Sequence, residues 1–298
     1  MRHMSTIGTL YGLVITKCVN IIMINVEDEY RGLLSSVLHG GVPKDDRTGT
    51  GTKAVFGRML KHDMAAGFPL LTGKKIYFKH AITELLWFLQ GRSDLKYLND
   101  NGLNYWNADY ERSGRTDGTL GRIYGVQWRD FNGVDQIREL IRNIKKDPSS
   151  RRLMVNAWNA SDIGDMALPP CHYNFQIYIN DGKMDLMWSQ RSVDIFLGLP
   201  YDFAIYGLLL VMLAEGLGYT PNRLIASLGD CHLYNNHHDQ ATEYLSRSYR
   251  PLPNVSVDFG IDILEGAEQH LRIPTHNMIK LNDYDPHPPI KAPLSVGY

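Results

Sequence analysis

Cysteine is scarce in this chain of 298 residues, and its three cysteines, Cys18, Cys171 and Cys231, form no Cys-x-x-Cys pair. Such a set excludes a disulfide framework and is typical of a protein in the reducing cytoplasm, where we expect this one to work. Cys171 and Cys231 are each followed by a histidine, which raises the question of zinc. Adjacent residues on a strand point to opposite faces, however, and zinc ligands are normally spaced by two or more residues. We therefore expect no metal.

Charge of one sign is not in excess either, because 31 Lys and Arg against 32 Asp and Glu leave a formal net charge of −1. Without a basic field, a specific nucleic-acid partner is disfavoured, and an anionic ligand would need a local cluster of arginines. No uninterrupted apolar run reaches the ~18 residues of a membrane helix, so no membrane association is expected. The apolar stretch "IGTLYGLVITKCVNIIMIN" is broken by Lys17 and Asn20 and lacks a small-residue cleavage site, which disfavours a secretory signal.

Repeats, low-complexity segments and linkers are absent from the sequence, which predicts a single domain that buries a large core. Apolar residues recur at helical spacing in 30–38, 78–89 and 137–144. The stretch 203–217 is apolar almost throughout and predicts a fully buried helix, with Pro200 near its start.

Strands are indicated by an alternation of period two. Phe175, Ile177 and Ile179 alternate with polar residues, "NDG" then turns the chain, and the alternation resumes at Met184. This pattern predicts a β-hairpin, and "RLMVNAW" and "RLIASLG" indicate two further strands. Helices and strands follow one another without a regular βαβ rhythm, so we expect an α+β fold rather than a doubly wound α/β fold.

Cys171 stands in "LPPCH", where two prolines hold the chain rigidly before a predicted strand. A lone cysteine is more often a buried structural residue than a nucleophile, and a nucleophile needs cationic neighbours that lower its pKa. Arginines, most with hydroxyl neighbours, occur in "DDRTGTGT", "SSRR" and "SQRSVD" and suit a phosphate dianion, although each alone could be a solvated surface residue. The residues concerned are Arg47, Arg151, Arg152, Arg191 and Ser192.

Two acidic residues stand in apolar surroundings. Glu84 lies in the predicted helix "ELLWFLQG", where a carboxyl is either a hydrogen-bonded core residue or, with a pKa raised by burial, a group that moves protons. Asp202 interrupts "GLPYDFAIYG", and burying a bare charge is costly. The sequence therefore predicts that Asp202 is paired, protonated or bound to a ligand.

These segments resemble the thymidylate synthase family in content and in order. The resemblance rests on "DDRTGTGT", "FPLLTGKK", "ELLWFLQG", "IYGVQWR", "SRRLMVNAWN", "LPPCH", "QRSVDIFLGLP", "GDCHLYNNHHDQ" and "YDPHPPIKAP". It starts at Val26, so residues 26–298 are expected to form the catalytic domain and residues 1–25 an N-terminal extension. The family implies a single-domain α+β fold whose large mixed sheet forms a back-to-back homodimer.

The resemblance also implies a reaction, in which a one-carbon unit passes from 5,10-methylenetetrahydrofolate, a cosubstrate, to C5 of a pyrimidine deoxynucleotide. Cys171 would add to C6 of the base, and positive charge from the phosphate site would favour its thiolate. Glu84 and Tyr124 would organise water and move protons.

The family likewise implies how the two substrates are held. The residues that it assigns to the nucleotide are Arg47, Arg191 and Ser192 for the phosphate, Arg151 and Arg152 from the other subunit of the dimer, and His232 and Tyr234 for the ribose 3′-hydroxyl. Those that it assigns to the folate are Asp194, Trp106, Leu197 and Lys74.

Asp202 departs from the family, in which this position carries an asparagine that reads the edge of uracil. Cytosine reverses that edge, because its N3 accepts and its 4-amino group donates. A protonated Asp202 can donate to N3 and accept from the amino group, and phage deoxycytidylate hydroxymethylases of this family carry aspartate here. We therefore expect dCMP as the substrate. The alternatives are an ordinary thymidylate synthase that uses dUMP and, in another class, a catalytically silent nucleotide- or RNA-binding protein.

Further departures lie in the folate half. Asn107 replaces a usual aspartate, a second tryptophan is missing, Tyr77 and Arg122 are unusual, and the tail "APLSVGY" is not the typical short aliphatic end. In the family this tail closes over the folate and keeps water from an exocyclic methylene intermediate. Good closure gives a 5-methyl product and poor closure a 5-hydroxymethyl product, and the similarity of the whole chain to the synthases favours methyl.

Overall fold

The computed structural model of the chain describes residues 23–258 and 275–295. Most of the expected N-terminal extension, residues 1–22, lies outside the described residues, so its boundary stays a prediction. The helices are α1 Val26–Gly40, α2 Phe78–Leu89, α3 Leu95–Asp100, α4 Asn107–Ser113, α5 Tyr124–Arg129, α6 Gln136–Lys146, α7 Leu199–Gly216 and α8 His238–Ser246. The strands are β1 Val42–Lys44, β2 Thr52–Asp63, β3 Met154–Asn156, β4 His172–Asn180, β5 Lys183–Asp194, β6 Thr220–Tyr234, β7 Asn254–Val257 and β8 Ile279–Asn282.

A six-stranded mixed sheet, in the order β1-β2-β6-β5-β4-β3, forms the centre of the fold. Its neighbours run antiparallel except for β5 and β6, which are parallel and are joined by α7. The predicted hairpin is the β4–β5 pair. Asp181 and Gly182, between the two strands, both have positive φ (50° and 69°), as a type I′ turn requires. The α+β prediction is therefore confirmed.

Helix α7 is the buried helix that the apolar stretch predicts. It packs against α2 and against β5 and β6, and the Tyr206 ring stacks on Trp188 of β5 with 5.0 Å between centroids. By length and composition α7 could cross a membrane, but 83% of it is buried inside the protein. A helix that is apolar on every face is stable in a large core, so α7 is the core helix against which the sheet packs.

The chain order around α7 gathers the residues that bear chemistry. Cys171 directly precedes β4, Asp194 ends β5, and Asp202 lies in the first turn of α7. The residues Ile195–Gly198 are the whole connection between β5 and α7, so Asp194 and Asp202 are held near each other. Glu84 approaches from α2, which packs on α7.

Candidate active site

A cavity of about 590 Å³ opens between the end of β5, the start of α7 and helices α2 and α4. Eight residues singled out from the sequence line it: Glu84, Trp106, Tyr124, Cys171, Ser192, Asp194, Leu197 and Asp202. Side chains from six separate segments thus meet at one place. This convergence is what a binding or catalytic site requires.

Cys171 is fixed by hydrogen bonds on both sides of its peptide. Its N–H donates to the Tyr124 hydroxyl (2.9 Å), and its carbonyl accepts from the Arg191 N–H (2.8 Å). The Arg191 guanidinium in turn donates to the carbonyls of Pro170 (2.9 Å) and Pro169 (2.8 Å). The "LPPC" turn and the arginine predicted to bind phosphate therefore form one rigid unit.

The thiol of Cys171 does not have the lowered pKa that the sequence suggested. Burial raises its pKa, the positive charge of Arg191 opposes that shift, and the charge of Asp202 adds to it. Burial has the largest effect on this pKa. The thiol is therefore mostly protonated in the protein alone, and a nucleophilic step must include loss of this proton.

Asp202 is buried, with 8% of its surface exposed, and its carboxyl faces the cavity. Its Oδ2 accepts from the Gln190 amide Nε2 at 2.9 Å. Burial raises the pKa of Asp202 to about 7, although the Gln190 bond lowers it, and the charges of Glu84 and Asp194 raise it further. At neutral pH the carboxyl is thus divided between its acid and its ionised form, whereas an ordinary aspartate is fully ionised.

The surroundings of Asp202 fix its orientation. The Gln190 Oε1 accepts from the Trp188 indole N–H (3.1 Å), which decides which end of the Gln190 amide faces Asp202. The His172 Nε2 lies 4.0 Å from Asp202 Oδ1, and its Nδ1 is hydrogen-bonded to the Tyr206 hydroxyl (2.8 Å). Burial lowers the pKa of His172 to about 3. His172 is therefore neutral, and it contributes no positive charge to Asp202.

Glu84 is the second carboxyl of the cavity wall. It accepts from the Tyr105 hydroxyl (2.6 Å) and from the Trp106 indole N–H (2.8 Å), two donors that favour its ionised form. Burial is the larger effect and raises its pKa. Glu84 thus has both features that the sequence left as alternatives, hydrogen bonds in the core and a raised pKa. A buried carboxyl with a raised pKa and positioned polar neighbours is suited to proton transfer.

Tyr124 begins α5 in a backbone conformation that is rare for a residue with a side chain, with φ of 28°. Its ring stacks on Phe88 and lies 4.4 Å from the His172 ring between centroids. Burial raises the pKa of its hydroxyl well above the usual value, so the hydroxyl stays neutral. Strained residues cluster at functional sites, and the hydroxyl of this one accepts from the Cys171 N–H.

Of the residues predicted to bind the nucleotide's phosphate and ribose, Ser192 lines the cavity and the others do not. Arg47 is exposed in the β1–β2 loop. Burial raises the pKa of the cavity residue Asp109, and the charges of Arg112 and Arg47 oppose that shift, which places Arg47 near Asp109. His232 and Tyr234 end β6 with their rings edge-on (5.3 Å between centroids).

Arg151 and Arg152 are exposed in the turn before β3, and within one chain they do not line the cavity. Their predicted role therefore depends on a second subunit.

On the predicted folate side, Asp194 and Leu197 lie together at the end of β5. The Asp194 Oδ1 accepts from the N–H groups of Phe196 and Leu197, both at 3.0 Å, which fixes the turn into α7. Lys74 is not brought to the cavity. Its ammonium donates to the Phe196 carbonyl (2.5 Å) and lies over the Phe196 ring, and burial lowers its pKa to about 7.

Several residues of the site are absent from the sequence-based set: His80, Asn104, Tyr105, Asp109, His172, Gln190, Tyr201 and Leu294. Gln190 could have been identified from the sequence, because it alternates along β5 with Ser192 and Asp194, and alternate residues of a strand face the same side. Leu294 had a signal only in the family resemblance, which implies that the tail "APLSVGY" closes over the folate, because its local sequence does not show that it folds back over the cavity.

Among the described residues, no group of three or more His, Cys, Asp or Glu side chains is arranged to hold a metal ion. Cys231, the other cysteine followed by a histidine, is fully buried, and burial raises its pKa to about 12. It is therefore an unreactive core residue.

Comparison with protein families agrees with this geometry. The family model described as thymidylate synthase matches residues 28–296, which is nearly the whole chain and includes every residue of the cavity. Enzymes of this family take 5,10-methylenetetrahydrofolate as cosubstrate and transfer its one-carbon unit to C5 of a pyrimidine nucleotide. This chain belongs to the thymidylate synthase family.

Proposed function

We propose that this protein transfers a one-carbon unit to C5 of dCMP and that 5-methyl-dCMP is its main product. One observation carries the choice of nucleotide: the cavity that holds Cys171 presents, at Asp202, a carboxyl with a pKa of about 7. A carboxyl that titrates near neutrality offers an O–H donor and a C=O acceptor side by side.

That pair matches the edge of cytosine. The O–H donates to N3 and the C=O accepts from the 4-amino group, whereas uracil presents an N3–H donor and an O4 acceptor. An ionised Asp202 facing O4 would set two acceptors against each other, and a buried mismatch of this kind costs ~1–3 kcal/mol. Donation to N3 also draws electrons from the ring, which makes C6 easier for Cys171 to attack.

The bond-forming steps follow from the positions of the side chains. The Cys171 sulfur adds to C6 and makes C5 nucleophilic, and C5 then attacks the methylene carbon supplied by the folate. Loss of the C5 proton and departure of tetrahydrofolate leave a methylene group on C5. Glu84 and Tyr124, which line the same cavity, are suited to move the protons of these steps. A hydride from tetrahydrofolate then reduces the methylene group to a methyl group and leaves dihydrofolate, and the Cys171 thiolate leaves as the C5–C6 double bond forms again.

The roles of the remaining site residues are proposed from where these residues lie. Ser192 lines the cavity, and Arg191, next to it, is held close to Cys171. We assign the phosphate to these two residues and Arg47, the ribose 3′-hydroxyl to His232 and Tyr234, and the folate to Asp194, Trp106 and Leu197. Lys74 would reach the folate only by leaving the Phe196 carbonyl.

A homodimer is supported by the sheet face opposite α7. The strand registers place Met59, Met154 and Tyr178 on this face, and each is more than 40% exposed. Large apolar side chains exposed together on one face are typical of a protein interface. A second copy packed there would carry Arg151 and Arg152 toward its neighbour's cavity.

Mixed subunits test this arrangement. Cys171→Ser and Arg152→Ala chains are each expected to lose most of their activity. Co-refolded together, they should regain part of it, because one site in the mixed dimer holds both Cys171 and an intact partner arginine. If the mixture stays as inactive as the two variants alone, Arg152 does not act across the interface.

The choice of the methyl product is supported by the tail. Leu294 lines the cavity, so the chain near its C-terminus covers the site where water would enter. The predicted location in the cytoplasm is consistent with a reaction on free nucleotides.

A substrate panel tests the proposed function. With methylenetetrahydrofolate present, tritium should be released from C5 of labelled dCMP, and mass spectrometry should find 5-methyl-dCMP. Release from dUMP alone would show an ordinary thymidylate synthase. Release from neither nucleotide, with tight binding retained, would show a silent nucleotide-binding protein. A 5-hydroxymethyl product would contradict the proposed product but not the proposed substrate.

A further inference from the structure

His237 is a fully buried histidine that the proposed chemistry does not use. It ends the short 3-10 helix Asn235–His237, directly after β6. Its Nε2 lies 2.7 Å from the Pro293 carbonyl, and since a carbonyl only accepts, this nitrogen carries the proton. Its Nδ1 has no hydrogen-bond partner among the described residues. The single polar contact of this side chain is thus made to the C-terminal tail, next to Leu294.

The ring of His237 also touches both halves of the site. It packs edge-on against Tyr234, which we assign to the ribose, and is tilted against Phe196, which lies between Asp194 and Leu197 on the folate side. The centroid distances are 5.7 and 5.6 Å. His237 therefore lies where the nucleotide subsite, the folate subsite and the tail meet.

The tail has few other attachments near its end. Farther back, the His287 N–H donates to the Thr72 carbonyl (2.8 Å) and Arg247 donates to the Pro288 carbonyl (2.6 Å). Beyond Pro288, Ile290 is buried in the core and Ala292 packs against it. The polar contacts of the described tail there are made to His237 and by Ser295. The Ser295 hydroxyl lies 3.3 Å from the Asn236 Nδ2 and 3.5 Å from the Thr50 hydroxyl.

The Ser295 contacts reach a second part of the site. The Thr50 hydroxyl accepts from that of Thr48 (2.9 Å), and both residues belong to the loop that carries Arg47. Leu294, which lines the cavity, thus lies between an attachment to His237 on one side and an attachment to the arginine loop on the other. Neither attachment is strong alone, since the net contribution of a single hydrogen bond to stability is small.

We propose that His237 is a positioning residue that, with Ser295, fastens the tail so that Leu294 stays over the cavity, and that this fastening decides how often the reaction ends in a methyl group. The part about the product rests on the proposed function. At the methylene carbon on C5, a hydride from tetrahydrofolate forms a methyl group and leaves dihydrofolate. Water instead adds its oxygen to that carbon, gives up a proton to solvent and leaves tetrahydrofolate unoxidised. In both cases the Cys171–C6 bond then breaks and the thiolate leaves.

The tail itself can be followed without any substrate. Trypsin cleavage after Lys291 releases the peptide 292–298 and requires the tail to leave its attachments, so its rate follows the open fraction when opening is fast. His237→Phe keeps an aromatic ring against Phe196 and Tyr234 but removes the donor. We expect peptide release from the full chain to become about fivefold to tenfold faster.

Matched variants separate the hydrogen bond from the packing. His237→Gln retains an N–H donor at a similar reach and should stay closer to the wild type than His237→Phe. Ser295→Ala should speed release about twofold, because its contacts are longer. Ser246→Ala, which removes a hydroxyl bonded to the Glu243 carbonyl on the exposed face of α8, should leave the rate unchanged.

The product measurement uses whichever nucleotide the enzyme turns over. The ratio of dihydrofolate formed to tritium released should fall in His237→Phe, and 5-hydroxymethyl nucleotide should appear, while tritium release itself changes little. Peptide release at the wild-type rate in both His237→Phe and Ser295→Ala would overturn the proposal. If His237→Phe does not fold, Ser295→Ala decides by the same criterion. Failure of dCMP turnover would refute the proposed function and leave the cleavage result valid.

Discussion

Replacing Asp202 by asparagine exchanges one oxygen for an NH2 group with almost no change of shape. The structure determines where that group goes. The Gln190 Nε2 donates to Asp202 Oδ2 (2.9 Å), and Gln190 cannot turn its amide round because its Oε1 accepts from Trp188. The new amide oxygen must therefore take the Oδ2 position, and the NH2 group must replace Oδ1. A site that offered a carboxyl now offers a fixed donor beside a fixed acceptor.

The size of the effect follows from the number of reversed hydrogen bonds. In the binding mode that we propose, Asp202 Oδ2 faces N3 of the base and Oδ1 faces its 4-position. The fixed amide would then face the cytosine 4-amino group with a donor and N3 with an acceptor, and each buried mismatch costs ~1–3 kcal/mol. Two mismatches amount to ~2–6 kcal/mol, or roughly thirtyfold to twenty-five-thousandfold in kcat/KM. The same amide complements uracil, so kcat/KM for dUMP should rise while that for dCMP falls.

The assay is tritium release from C5 of dCMP and of dUMP, measured for the wild type and for Asp202→Asn at several concentrations of each nucleotide. Asp109→Asn is the matched control, because it also converts a cavity carboxyl to an amide but lies on the wall formed by α4. Asp109→Asn should leave the ratio of kcat/KM for dUMP to kcat/KM for dCMP unchanged. A ratio that Asp202→Asn shifts by less than about threefold would refute the reasoning from hydrogen-bond polarity.

Because burial raises the pKa of Asp202 to about 7 from an ordinary value near 4, its protonated form is lost as the pH rises through about 7. We therefore expect kcat/KM for dCMP to fall above that pH. The activity of Asp202→Asn on dUMP should not show this fall at high pH. Gln190→Met removes the hydrogen bond that lowers this pKa, so the fall of kcat/KM for dCMP should begin at a higher pH. Glu84→Gln places an amide against two donors, Tyr105 and Trp106, and should lower kcat by ~10²–10⁴ with a smaller change in KM. Cys171→Ser should abolish tritium release while calorimetry still detects nucleotide binding, and release at a tenth of the wild-type rate would contradict a role as nucleophile.

The local patterns predicted the elements well where one face or all faces are buried. The alternation from Phe175 to Met184 predicted the β4–β5 hairpin, and the apolar stretch 203–217 predicted α7, because burial demands apolar residues at the period of the element. The motif similarity indicated the family, which the family comparison confirmed. Eight residues of the cavity were identified in this way.

What the sequence could not indicate are properties that arise from several segments at once. Nothing local predicted that burial would raise the pKa of Cys171 more than Arg191 lowers it, because desolvation depends on every neighbour in space. The contact between His237 and Pro293 likewise joins parts of the chain that lie far apart.

By itself the sequence determined the family, the α+β elements and the unusual carboxyl at position 202, since these follow from motif order, periodicity and residue type. Only the tertiary structure decided that this carboxyl is half-protonated near neutrality and that Gln190 holds it in one orientation. The physical reason is that a pKa and a hydrogen-bond direction are set by the dielectric surroundings and by the fixed donors nearby, and in this protein β5, α2 and α7 supply them together.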